Sequence, residues 1–257
     1  MRVAAALLSL AVVAGELAHA DDWPHWRGPT RDGVWREEGI IEALPEDPLD
    51  VTWSMPVALG YAGPTVADGK VYLFEYERTD GTITDNPGAR DSLNGIERLR
   101  CLDSATGDEL WRYEYERPYF ISYPSGPRCS PIVDGDRVYA LGAEGDLACL
   151  RTADGSVVWK KSFPDEYGAP TPQWGHSAHP LVDGDTLYCL VGGKGSVVVA
   201  FDKMTGDEKW RALSAPSINN EVGYCPPSIT EHGGQRQLVI FYPEAVCGLP
   251  LDGGEPL

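Results

Sequence analysis

Four segments of this chain align with one another: CLDSATGDELW from Cys101, CLRTADGSVVW from Cys149, AFDKMTGDEKW from Ala200 and GLPLDGGEPL from Gly248. Their glycines, Gly107, Gly155, Gly206 and Gly254, stand 48, 51 and 48 residues apart, and Trp111, Trp159 and Trp210 close the first three copies. A fixed period of this length constrains the fold more than any other feature. Each repeat is one supersecondary unit that buries its faces only by stacking on its neighbours.

A second motif runs in the same phase. It reads GPTVADGKVYLF from Gly63, SPIVDGDRVYAL from Ser130 and HPLVDGDTLYCL from His179, with a looser copy, PPSITEHGGQRQLVIF, from Pro226. Two β-rich runs joined by Asp-Gly or Gly-Gly are a strong hairpin signal. Pro64, Pro131, Pro180 and Pro227 open the first run, where a missing N–H is tolerated. One unit then holds four strands, which in the second copy are expected at residues 129–134, 137–142, 146–151 and 156–162. Four antiparallel strands per repeat make a propeller blade, and no helix-period stripe competes with that reading. The fold expected is therefore all-β: a β-propeller of four-stranded antiparallel blades. About four blades are present of an expected seven or eight, with residues 50–257 as the repeat domain and its fourth blade incomplete. Residues 50–57, DVTWSMPV, read as an outer strand without a blade of its own. A large amphipathic ring on each outermost strand suits packing against the next blade, where its indole N–H needs an acceptor.

Residues 1–20 carry one early cation (Arg2), an apolar run from Val3 to Val13 and an Ala18-His19-Ala20 ending. This is a signal-peptide pattern with cleavage expected after Ala20 and export to the periplasm or outside. The run falls short of the ~20 residues a membrane span needs. Residues 21–49 form a lead-in. The net charge of −18 repels phosphate backbones, so no nucleic-acid partner is expected. A monomer is expected. The six cysteines form no CxxC pair and sit at repeat positions, so they read as buried free thiols.

At these residues the chain resembles a known family. LDSATGDELW is similar to the tryptophan-docking motif of PQQ-like propeller repeats, found in quinoprotein alcohol dehydrogenases and in the propeller lipoprotein that helps assemble outer-membrane barrels. The opening DDWPHWRGPTRDGV, from Asp21, is similar to that of exported PQQ-like repeat proteins of planctomycete-type bacteria. The resemblance implies structural docking roles for Trp111, Trp159, Trp210, Gly107, Gly155 and Gly206. It brings PQQ with calcium into consideration as a cofactor. The adjacent cysteine pair, the calcium-binding set and the lipid-modified cysteine that belong to those relatives have no counterpart in this sequence.

Three long loops enter the innermost strands: residues 116–128 (ERPYFISYPSGPR), 163–177 (FPDEYGAPTPQWGHS) and 214–224 (SAPSINNEVGY). They carry the candidate ligand-binding residues Tyr123, Arg128, Trp174, His176, Asn219, Glu221 and Tyr224, with Tyr119 and Asn220 beside them. An Arg, a Trp, a His and a Glu around one channel suit a planar or anionic ligand. No metal site is expected. His176 and His179 lie three apart on extended chain and face opposite ways, and the DGD triplets sit at hairpin turns. No catalytic residue stands out. Residues 77–95 form a polar insertion expected to be a disordered loop, with a mobile flap as the alternative. The leading functional expectation is a binding or scaffolding module for a protein or small ligand. The alternative is a quinoprotein-like oxidoreductase completed by further C-terminal blades, and a hydrolase or lyase is a third possibility.

Overall fold

The computed structural model describes residues 21–39, 43–214 and 222–257. The signal-peptide reading (residues 1–20) and Asn219, Asn220 and Glu221 fall outside them.

Among the described residues sixteen strands and one short helix follow in chain order: β1 (Thr65–Ala67), β2 (Lys70–Gly81), β3 (Asp91–Asp103), β4 (Glu109–Glu116), β5 (Tyr119–Ile121), β6 (Ile132–Asp134), β7 (Arg137–Leu141), β8 (Asp146–Arg151), β9 (Val157–Ser162), α1 (Phe163–Tyr167), β10 (Leu181–Asp183), β11 (Thr186–Leu190), β12 (Val198–Asp202), β13 (Glu208–Ala212), β14 (Ser228–His232), β15 (Gln235–Tyr242) and β16 (Ala245–Pro250). They form four antiparallel sheets ordered β1-β2-β3-β4 (with β5 added to β3), β6-β7-β8-β9, β10-β11-β12-β13 and β14-β15-β16. The protein is an all-β propeller assembly, and among the described residues its fourth blade has three strands.

The blades share one register. Thr65 faces Tyr72, Ile132 faces Tyr139 and Leu181 faces Tyr188 across the first hairpins. Asp68 and Gly69 both have positive φ, as a type I′ turn requires. In the first three blades the ladder between third and fourth strands slips at one point, after Cys101, Cys149 and Ala200, which face Trp111, Trp159 and Trp210.

The second strands of blades 2 and 3, β7 and β11, are buried along their whole length. In β7, Val138 and Ala140 join a cluster with Tyr72, Phe74 and Leu99 of blade 1. Tyr139 and Leu141 join Leu187, Cys189, Val199 and Phe201 of blade 3. Tyr188, Leu190 and Val198 of blade 3 meet Leu238, Ile240 and Leu249 of blade 4. The period-2 alternation of a strand thus serves two neighbours instead of one core and one solvent face.

Between blades a Tyr and a Trp converge on one carbonyl. Tyr139 Oη and Trp159 Nε1 both donate to Lys203 O, at 3.0 and 3.1 Å, and Tyr188 Oη and Trp210 Nε1 both donate to Leu251 O at the same distances. Trp111 Nε1 donates to Thr152 O at 3.1 Å and Trp53 Nε1 to Ser104 O at 2.9 Å. The four rings lie over Gly155 (Trp111), Gly206 (Trp159), Gly253 (Trp210) and Gly107 (Trp53). The fourth copy uses Gly253 where the repeat alignment points to Gly254, because its turn is one residue tighter. At Gly206 both requirements for glycine coincide: φ is +76° and an added Cβ would lie 2.7 Å from the Trp159 ring. Gly206→Ala is expected to destabilise by roughly 2–3 kcal/mol. Gly135→Ala, at φ +57° with open space around it, should lose only about 1 kcal/mol. Urea unfolding of the two variants checks the order.

Three local expectations are corrected. Residues 77–95 are not a disordered loop: β2 and β3 extend into them as a long hairpin, braced when β5 pairs with β3 and when Thr84 N donates to Asp91 at 2.8 Å. Residues 50–57 form no strand and are held instead through the Trp53 indole and the bond from Arg100 to Pro56 O. The cysteines are all free, but Cys225 is exposed and Cys247 half-buried, leaving Cys101, Cys129, Cys149 and Cys189 as the buried thiols.

Candidate functional site

The loop face is organised around the tight β7–β8 turn, residues 142–145. Ala143 N donates to the Glu97 carboxylate of blade 1 at 2.9 Å, Ala143 O accepts from His176 N at 2.8 Å, and Gly145 O accepts from Phe163 N at 2.9 Å. Phe120 N donates to the Glu144 carboxylate at 2.6 Å, and Arg117 pairs with Asp146 at 2.8 Å. One turn of blade 2 thus fixes the loops that follow β4 and β9. The second of these starts with α1, whose Ser162 cap accepts from Asp165 N and whose Gly168 ends the helix at φ 59°. Glu166 reaches back to Ser162 N at 2.9 Å, giving a reciprocal cap.

Five of the candidate residues lie among the described residues. Arg128 spends its guanidinium on loop carbonyls: Trp174 O at 2.8 Å, Tyr123 O at 2.6 Å, Ser122 O at 3.1 Å and Gly126 O. Its plane also covers the Tyr61 ring at 5.2 Å. The charge therefore knits two loops together, and Tyr123 takes the positive φ of 48° that this geometry imposes. Trp174 stands 44% exposed, tilted against Tyr224 at 5.2 Å, and its indole donates to Pro87 O at the tip of the β2–β3 hairpin at 3.4 Å. Phe120, 57% exposed, lies under Arg90 on the same face. The structure thus brings Tyr123, Arg128, Trp174 and Tyr224 together as a rigid, partly aromatic surface.

His176 is placed differently. It is buried with its ring edge-on to Phe163 at 5.3 Å, and its Nε2 has no hydrogen-bond partner among the described residues. Burial and the nearby Arg117 push its pKa down to about 3, so the folded state holds the neutral ring. Stability from this group is complete above the ordinary value near 6.5 and falls as the pH drops toward 3, by up to about 1.4 kcal/mol per pH unit. His176→Gln is expected to flatten that acid limb in urea titrations run from pH 7 to pH 4.

The lead-in supplies a second arrangement. Its backbone binds the free edge of the first strands: Trp23 exchanges bonds with Val66 of β1 at 2.8 and 3.1 Å, and Pro24 O accepts from Val133 N of β6 at 2.8 Å. Arg31 then donates to Pro180 O, next to β10, at 3.0 Å, while Trp26 stacks on His179 at 4.9 Å. The first strands of neighbouring blades are themselves linked by Thr65 Oγ1, which donates to Pro131 O at 2.6 Å. The lead-in therefore runs along the inner edge of blades 1 to 3, where the sequence carried no recognised site. The signal was present in WPHWRGP, dense in aromatic and cationic side chains for a connecting segment.

PQQ with calcium is not matched by these residues. Among the described residues no three His, Cys, Asp or Glu side chains group to hold a cation. The lead-in backbone occupies the edges of β1 and β6.

Residues 96–257 match the family model described as outer membrane protein assembly factor BamB. The dehydrogenase subunit of the quinone alcohol dehydrogenase of Gluconobacter oxydans is 28% identical over 55% of this chain and 20% of that protein. The serine/threonine-protein kinase AfsK of Streptomyces griseus is 29% identical over 58% of this chain and 15% of that protein. The chain's matches thus span a fifth or less of the length of these curated relatives. The quinohemoprotein alcohol dehydrogenase structure from Comamonas testosteroni superposes with a TM-score of 0.51 at 18% identity, over 93% of this chain and 49% of that one, a likeness of fold. With its in-phase repeats, its four antiparallel sheets and a family model matched over most of its length, the chain belongs to the PQQ-like propeller repeat family.

Proposed function

We propose that this protein is an exported binding or scaffolding propeller that presents its loop face to a protein or small-molecule ligand. The observation that carries this reading is the preorganised surface around Trp174. An exposed indole, an exposed phenylalanine and two tyrosines are held by backbone bonds that Arg128, Arg90 and the residue 142–145 turn supply. Rigid aromatic side chains offer contact area at little conformational cost, the property that binding hot spots share. Export rests on the sequence pattern of residues 1–20. Among the described residues no helix is long and apolar enough to cross a membrane. The interlocking Trp111, Trp159 and Trp210 are proposed as the docking elements of the scaffold, and Asn219 and Glu221 remain candidate contributors to the face.

The test compares photo-crosslinkers placed at Phe120 and at Val246, an exposed residue of β16, in the exporting cell. Discrete adducts from position 120 and none from 246 are expected. Equal labelling from both overturns the reading. The oxidoreductase alternative, with its site completed by further C-terminal blades, predicts saturable PQQ uptake with calcium and alcohol-dependent dye reduction.

A further inference from the structure

We infer that the groove between the lead-in and the innermost strands of blades 3 and 4 binds a small organic carboxylate, held by the Arg31 guanidinium beside the Trp26 ring. The site lies away from the loop face and does not depend on the function proposed for that face.

Arg31 is a cation without a counter-ion among the described residues. Arg31 is half-buried, one end of its fork donates to Pro180 O, and its Nη2 is buried with no acceptor among the described residues. No carboxylate pairs with it among those residues, and the charge closest in effect is another cation, Arg27. Burial and that neighbour lower its pKa to about 10, which still leaves it charged at neutral pH. Buried charges are almost always paired, because an unmatched one forfeits its hydration.

Two further unpartnered atoms lie close by, one on the cavity border and one behind the indole. His179 is 8% exposed, lies flat on Trp26, and its Nδ1 has no partner; His25 Nδ1 is likewise buried and unpartnered. Asp134, the carboxylate felt by His25, is bonded to Lys203. Native structures rarely leave three such atoms unsatisfied in one place without a bound molecule or water. The adjoining cavity measures about 480 Å³ and is bordered by Trp26, Arg31, Leu181, Pro226, Pro227 and Ile229. The other cations at its border are engaged: Arg236 pairs with Asp183 at 2.6 Å and Arg27 lies over the Trp26 ring at 5.4 Å.

The chemistry follows from the lining. A guanidinium edge selects carboxylate or phosphate. Prolines, Leu181, Ile229 and an indole favour an apolar, planar body over a hydrated inorganic ion. Both histidines are neutral at pH 7, since burial and Arg31 lower their pKa, to about 4 for His179. Neither therefore adds charge to the groove. Together these features specify a carboxylate on a compact apolar frame.

Calorimetry at fixed ionic strength tests this on the whole chain, with benzoate as the probe, benzamide as its uncharged analogue and inorganic phosphate as the hydrated anion. One saturable benzoate site is expected, with a benzoate-dependent rise in Tm and no uptake of benzamide. Arg31→Gln should weaken benzoate binding at least tenfold and abolish the Tm rise. Trp26→Ala, which removes the indole bordering the cavity, should weaken it severalfold, and Trp174→Ala on the loop face should leave it unchanged. Should Arg31→Gln fail to fold, the Trp26→Ala result decides. Absence of saturable benzoate binding, unaltered binding in Trp26→Ala or a folded Arg31→Gln, or phosphate binding as tight as benzoate overturns the inference.

Discussion

Trp159→Ala is expected to lower the unfolding free energy by about 4 kcal/mol, in the range that large-to-small aromatic truncations reach at buried sites. The ring is 8% exposed and fills the junction between blades 2 and 3, with Gly206 beneath it and Tyr139 at 6.0 Å beside it. Glycine at 206 leaves no Cβ to relax into the space, so the cavity persists. Trp159→Phe should lose only ~1–2 kcal/mol, because Lys203 O keeps its bond from Tyr139 Oη when the indole N–H is removed. Trp210 occupies the equivalent place against blade 4 but is only half-buried, so Trp210→Ala should have a smaller effect than Trp159→Ala. Trp174→Ala, on the exposed loop face, should fall within ~1 kcal/mol of the parent. Urea midpoints of the four variants give the order directly. A Trp159→Ala variant within 1 kcal/mol of the parent would show that the blades are held by their aliphatic clusters alone.

What the sequence disclosed and what it concealed divide along this same contact. The period, the Asp-Gly hairpins and the recurrent Trp were local signals, and the strands of blade 2 lie within a few residues of their expected places. The tyrosine at this position was equally regular, at Tyr72, Tyr139 and Tyr188, and the last two share the acceptor carbonyl of their Trp. Its partner carbonyl, however, lies in the next blade, 64 residues on for Tyr139, and no local pattern pairs them. Residues 77–95 looked too polar to order, since their support comes from β5 and from Arg90 bonding to Thr171 O, contacts made across the loop face. Arg128 was recognisable as a site residue, but its donors turn inward to carbonyls that only the folded loops bring within reach. The lead-in was the least legible part. Its value lies in backbone bonds to Val66 and Val133, and backbone groups leave no trace in residue identity.

Glu97 did leave a trace, an acid standing at an inward position of β3 in phase with Leu93, Leu99 and Cys101. Its side chain is completely buried and accepts from Tyr115 Oη, from Tyr119 Oη at 2.5 Å and from Ala143 N at 2.9 Å, so blade 1 is tied to blade 2 through one carboxyl group. Tyr119 is stacked in turn on Tyr76 at 4.0 Å. Burial raises the Glu97 pKa, and the three hydrogen bonds oppose that without overcoming it. The folded chain therefore holds a proton that the unfolded chain releases near its ordinary value of 4.5. The stabilisation from this proton is complete below pH 4.5 and is lost as the pH climbs through the folded pKa. His176 works in the opposite sense between about pH 3 and 6.5, so the parent curve superimposes the two, and only a difference against a variant isolates either. Glu97→Gln retains an acceptor for Ala143 N and cannot ionise. Its stability relative to the parent should rise with pH above 4.5, by up to about 1.4 kcal/mol per unit. Glu97→Ala strands one N–H and two phenols and should lose ~3–5 kcal/mol already at pH 4. Urea unfolding of all three proteins from pH 4 to pH 8 measures both effects. A Gln-minus-parent difference that stays flat across that range would mean that Glu97 is ionised in the fold, its three donors outweighing its burial.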